Sequence, residues 1–114
     1  MNAEQLAVHI GARIFKSTGG CRNIRNVYAG DRISELLNAA SEDTLLVTNL
    51  VHPQLFRVAQ LMEVPGICLL NGVSVGKQML NLAMQNGTCV LISYAGMFET
   101  CGKIWGCLVK EGSS

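Results

Sequence analysis

Thr44-Leu45-Leu46-Val47-Thr48, Ile67-Cys68-Leu69-Leu70 and Cys89-Val90-Leu91-Ile92-Ser93 are the segments from which the architecture follows. None alternates apolar with polar residues. Nearly continuous apolar runs of this length suit parallel strands covered on both faces by helices. Strands opening near Thr44, Ile67 and Thr88 are separated by 23 and 21 residues, enough for one helix and two turns each time. The rhythm predicts a three-layer α/β domain with a mainly parallel sheet.

The intervening segments agree with this. Leu55, Val58, Ala59 and Met62 fall at i, i+3, i+4 and i+7, and Val75, Met79, Leu82 and Ala83 form a similar stripe, so each segment is a helix with one buried face. Pro65-Gly66 and Asn86-Gly87 are the stops that return the chain to the next strand. Downstream, Met97, Cys101, Ile104, Trp105 and Leu108 predict a closing helix of about three turns packed on the sheet. Upstream, Ile33, Leu36, Leu37 and Ala40 mark another amphipathic helix, with Asp31 placed to cap its free N–H groups. Before it, the pattern predicts a helix over 5–10, a strand over 13–15, a turn over 17–20 and a strand over 24–28. Residues 1–111 form one domain on this reading, and Gly112-Ser113-Ser114 is a mobile polar tail.

The bulk composition narrows the function. A chain of 114 residues holds one domain and can bury a core without disulfides or a structural metal. Apolar residues make up 49% of it before its 12 glycines are counted, and charged residues only 15%, against roughly 25% in ordinary soluble domains. So little charge leaves apolar surface to be covered, which predicts a homodimer or higher homo-oligomer. A net charge of +1 with scattered Lys and Arg argues against a nucleic-acid partner. The apolar runs are too short to span a bilayer, and the opening Met-Asn-Ala-Glu lacks a signal-peptide pattern. Five cysteines form no CxxC and no zinc-ligand spacing, so they read as reduced thiols in a cytoplasmic protein without a metal. Cys21, beside Arg22, is the one candidate for a reactive thiol, and an inert Cys21 is the favoured reading.

Two segments carry functional signals. Gly72-Val73-Ser74-Val75-Gly76-Lys77-Gln78 follows a strand and opens a helix, as a phosphate loop does, but has three residues between its glycines instead of four. It also has Gln78 where a magnesium-holding hydroxyl belongs, so no machinery for ATP hydrolysis is visible. His52 precedes Pro53 near the carboxyl end of the first of the three strands. That edge would gather Thr48, Asn49, His52, Asn71, Gly72, Ser93 and Tyr94, the candidate ligand-binding residues. The competing reading, slightly favoured, is that these residues cap helices and satisfy loop backbone. No nucleophile or carboxylate stands in a motif with His52, so no catalytic residue is named.

Tyr28-Ala29-Gly30-Asp31 leading into Ile33-Ser34-Glu35-Leu36-Leu37, then Leu46-Val47-Thr48 with His52, then Leu70-Asn71-Gly72, and Met97-Phe98-Glu99 opening the last helix, together resemble the DRTGG domain. The likeness runs from about Leu6 to Leu108. The chain departs from the family where Thr-Gly-Gly usually precedes the tyrosine, having Arg25-Asn26-Val27 instead. The resemblance implies a Rossmann-like fold related to the N-terminal domain of HPr kinase/phosphorylase, usually oligomeric, without established catalytic residues or a cofactor, and placed in proteins that sense or regulate. Helix N-termini at the strand carboxyl ends attract anions, so the leading expectation is a non-catalytic regulatory module that senses a small anionic or nucleotide-like ligand there. Stand-alone members also accompany iron-only hydrogenase genes, which implies as the alternative an accessory or scaffolding subunit with a protein partner and no small ligand.

Overall fold

The computed structural model describes residues 1–17, 19–85 and 87–112. Its elements run α1 (Ala3–Ile10), β1 (Arg13–Phe15), β2 (Asn26–Ala29), α2 (Ile33–Ala39), β3 (Thr44–Thr48), α3 (Pro53–Leu61), β4 (Gly66–Leu69), α4 (Lys77–Gln85), β5 (Cys89–Ile92) and α5 (Met97–Gly112). The five strands lie in the order β1-β5-β4-β3-β2. Strands β2 to β5 are parallel, and β1 pairs antiparallel with β5 through Arg13 opposite Ile92 and Phe15 opposite Val90.

The three apolar runs are the central strands β3, β4 and β5, and every residue in them is buried. Their two sets of side chains feed two cores. On one face Leu46, Ile67, Leu69 and Val90 pack with Leu36, Leu55, Phe56 and Ala83, from α2, α3 and α4. On the other, Leu45, Val47, Cys68 and Leu91 pack with Leu6, Ala7 and Ile10 of α1 and Ile104 of α5. The crossovers β2-α2-β3, β3-α3-β4 and β4-α4-β5 place their helices on one face because parallel crossovers share one hand. After β5 the chain crosses to the other face, where α5 joins α1.

Helices α1, α3 and α4 reach their strands through the same device. Ala12 N–H donates to Ala7 O, Val64 N–H to Ala59 O and Thr88 N–H to Ala83 O, at 2.9 to 3.0 Å. These are the long hydrogen bonds of a Schellman cap, which needs a left-handed residue just before the donor. Gly11 (φ 67°) and Gly87 (φ 86°) supply it in two cases, and Glu63 (φ 55°) in the third.

Several sequence expectations change. Asp31 does not cap α2: Arg32 occupies the N-cap position, and no side chain there accepts a hydrogen bond from the helix. The second strand starts at Asn26 and runs to Ala29, because Arg25 N–H and Asn26 N–H both donate to Asp43 O and draw the chain onto β3 only from there. Helix α4 begins at Lys77, so Val75 lies in the preceding loop. Helix α5 has 16 residues, longer than three turns, and Trp105 lies off its buried stripe, 69% exposed, while Ile104 is buried. Thr18, Asn86, Ser113 and Ser114, in the expected turns and tail, lie outside the described residues.

Candidate functional site

The carboxyl ends of β2, β3, β4 and β5 open on one edge of the sheet. Loop 70–76 leaves β4 toward α4 on one face, while loop 93–96 leaves β5 toward α5 on the other. Divergent connections from adjacent strands make a topological switch point, where a crevice forms without a side chain having to be removed.

Five of the seven expected residues are engaged in shaping this edge. Thr48 and Ser93, both buried, accept hydrogen bonds from Leu50 N–H and Ala95 N–H, two residues on, at 3.0 and 3.3 Å. These contacts hold the turn at each strand end. Ser93 Oγ also lies 2.7 Å from Thr100 Oγ1, tying the β5 loop to α5. His52 is the N-cap of α3: its Nδ1 accepts from Gln54 N–H at 3.0 Å, with Pro53 at the first helical position. The capping reading thus holds for His52 locally. Asn71 Nδ2 donates to Asn49 Oδ1 at 2.7 Å, and both amides are exposed.

Asp31 completes this cluster and is absent from the sequence-derived set. Its Oδ1 accepts from Asn49 N–H at 2.9 Å and from Thr48 Oγ1 at 3.3 Å, and its Oδ2 from Asn49 Nδ2 at 3.4 Å. The carboxylate therefore pins the end of β3 to the loop after β2, and Asp31, Asn49 and Asn71 form a continuous polar line across three strand ends.

Gly72 and Tyr94 sit on the other side of Asn71. Asn71 and Gly72 have φ 58° and 62°, and Val73 N–H reaches Leu70 O at 3.3 Å, the pattern of a type I′ turn, which favours Asn-Gly. A Cβ on Gly72 would come within 3.1 Å of Tyr94 Cδ1. The turn and the ring thereby border a pocket of about 310 Å³ lined also by Ser74, Val75, Phe15 and Arg13. Arg13 enters this edge because β1 runs antiparallel: its first residue, opposite Ile92, stands at the carboxyl end of β5. The guanidinium lies 4.7 Å above the Phe15 ring and has no salt-bridge partner among the described residues. A strand over 13–15 was expected from the sequence, but nothing local told which neighbour it would take.

No group of three or more His, Cys, Asp or Glu side chains able to hold a metal occurs among the described residues. The Cys21 thiol is pushed up to about 11 by burial and by its contact with Cys89, Sγ to Sγ 3.2 Å. Burial pushes Cys68 up to about 12. Arg22, the positive charge that made Cys21 a candidate, donates to the Gly87 and Val64 carbonyls. These facts favour the inert reading of Cys21.

No family model and no curated protein matches the sequence. Among solved structures, the chain is similar to the CBS and DRTGG domains of the regulatory region of Clostridium perfringens pyrophosphatase, a structure complexed with the activator diadenosine tetraphosphate. The match has a TM-score of 0.67 at 15% identity and covers 90% of this chain and 45% of that one. The chain thus spans less than half the length of this neighbour. The fold is that of a DRTGG-related α/β domain, and the neighbour comes from a regulatory region. No helix among the described residues is long and apolar enough to cross a membrane.

Proposed function

We propose that this protein is a non-catalytic, ligand-sensing regulatory domain that takes a small anionic, nucleotide-like ligand at the carboxyl ends of its strands. The observation that carries the reading is the Arg13 guanidinium, without a salt-bridge partner among the described residues, in a pocket at the switch point between β4 and β5. An anionic group would sit against Arg13 and Ser74, where a charge-assisted hydrogen bond contributes about 1.5–3 kcal/mol. The polar part of the ligand would extend over Asn71, Asn49 and Asp31, and its flat part against Tyr94. Thr48, Ser93 and His52 act beneath, holding the loops in place. The regulatory character of the structural neighbour supports this reading, and five cysteines all present as free thiols fit a reducing compartment such as the cytoplasm.

The test is thermal unfolding against a panel of mono-, di- and triphosphate nucleotides and diadenosine tetraphosphate, with adenosine as the uncharged control. A ligand at a hundred times its Kd stabilises the fold by about 2.7 kcal/mol, which raises Tm by roughly 10 °C for a domain of this size. Arg13→Ala is expected to weaken that ligand roughly tenfold to a hundredfold. No shift with any anionic member, or an unchanged shift in Arg13→Ala, defeats the proposal.

A further inference from the structure

Helix α5 is apolar on two faces. Its buried stripe includes Ile104, with Met97, Cys101 and Leu108 packed against the α1-side core. A second stripe, Phe98, Gly102, Trp105 and Val109, recurs at i, i+4, i+7 and i+11 and points outward, with Phe98 94%, Trp105 69% and Val109 47% exposed. Among the described side chains of the helix, the charged ones, Glu99, Lys103 and Lys110, all project about 100° or more around the axis from Trp105, so the outward stripe from Phe98 to Val109 carries no charge. One stripe is enough to hold a surface helix on its domain. A second, uncharged one with two large aromatic rings marks a contact surface.

The same face of the sheet is incompletely covered. Among the described residues, α2, α3 and α4 lie over one face and only α1 and α5 over the other. Ala29, at the end of edge strand β2, therefore lines an apolar groove with Met97, Phe98, Cys101, Gly102 and Trp105. The knob and the groove belong to one helix, one turn apart.

We infer that the occupant of this groove is a second copy of the chain, packed through α5 against α5 about a two-fold axis. An antiparallel pairing centred between Gly102 and Trp105 sets each Trp105 over the partner's Gly102, where a Cβ would meet nothing within 4 Å and the indole has room. It sets each Phe98 against the partner's Val109. On the rim it brings Glu99, which also pairs with Lys103 of its own helix at 3.8 Å, near Lys110 of the partner subunit, a charge of opposite sign. A single patch carrying both knob and hole closes on itself, as an isologous interface requires. The aromatic rings and their neighbours withdraw roughly 500 Å² per copy from water, or about 1,000 Å² in total, the size at which a contact between copies qualifies as a biological interface and below that of a tight obligate dimer. The second copy's α5 also supplies the helix that the thinly covered face lacks.

The test uses the full chain and its single tryptophan, Trp105, as the reporter. Light scattering is expected to give twice the chain mass, and Trp105 emission is expected to lie in the blue when concentrated and move to the red on dilution. Gly102→Lys fills the hole with a residue that favours the helix, and Phe98→Asp places a charge at the end of the stripe, against the partner's Val109. Both variants are expected to keep the wild-type circular dichroism, scatter as monomers and emit as exposed indole at every concentration. A wild-type monomer at all concentrations, which would assign the face to a different partner, overturns the inference. So does a dimer that survives both substitutions, or one whose Trp105 emission does not follow the mass.

Discussion

Glu63→Gly is expected to stabilise the protein. Glu63 closes α3 in a left-handed conformation at φ 55°, where the other two Schellman caps of the fold carry Gly11 and Gly87. A side-chain-bearing residue there costs about 1–2 kcal/mol through the clash of its Cβ with the following carbonyl. Glycine removes that cost but adds roughly 0.5–1 kcal/mol of backbone entropy to the unfolded chain. The net gain is therefore about 0.5–1 kcal/mol. Glu63 is exposed, and no hydrogen bond or ion pair of its side chain is lost, so no contact offsets the backbone gain. With an unfolding entropy of about 2.1 cal/mol/K per residue, the expected rise in Tm is roughly 2–4 °C. Urea unfolding followed by circular dichroism measures the difference, with two controls. Glu63→Ala keeps the left-handed cost and is expected to stay within about 0.5 kcal/mol of wild type. Gly11→Ala imposes that cost where a new Cβ meets nothing within 4 Å, and is expected to destabilise by about 1 kcal/mol. If Glu63→Gly is neutral or destabilising while Gly11→Ala is harmless, left-handed strain does not govern these helix ends.

Two other outcomes follow from the core and its thiols. Phe56→Ala removes a fully buried ring from the α2–α3–α4 side of the sheet and is expected to cost about 3–5 kcal/mol, with a loss below 1 kcal/mol in urea unfolding contradicting the packing. Stability is expected to fall as pH rises above the ordinary thiol value of 9.0, because Cys68, pushed up to about 12, keeps its proton in the folded chain after the unfolded chain has lost it. The fewer protons on the unfolded state give a falling slope of about 1.4 kcal/mol per pH unit for this one thiol. Cys68→Ala should flatten the decline between pH 9 and 11, and an equal decline in that variant would assign it to other groups.

The regular part of the fold was legible in the sequence because burial on both faces of a strand leaves an unbroken apolar run, and burial of one face of a helix leaves a 3.6-residue stripe. Both are local records of tertiary contact, so β3, α3, β4 and β5 could be placed from residues 44–93 alone. His52 was legible too, as the residue before a proline at a helix start, although its Nδ1 caps α3. That Thr48, Asn49, Asn71, Gly72, Ser93 and Tyr94 lie along one edge was also legible, since the carboxyl ends of parallel strands must lie together. Tertiary structure alone decided which additional residues reach it. Asp31 stands next to a helix start, where capping was the local expectation, yet its carboxylate spans to Asn49, 18 residues away. Arg13 joins the pocket only because β1 turns antiparallel and takes the edge beside β5. Trp105 shares the helical period of the buried stripe, and one step of 100° around α5 separates an inward side chain from an outward one. Periodicity fixes that a helix has an apolar side, but which side meets the sheet depends on where the strands end and how the helix is laid across them, and no local pattern encodes that placement.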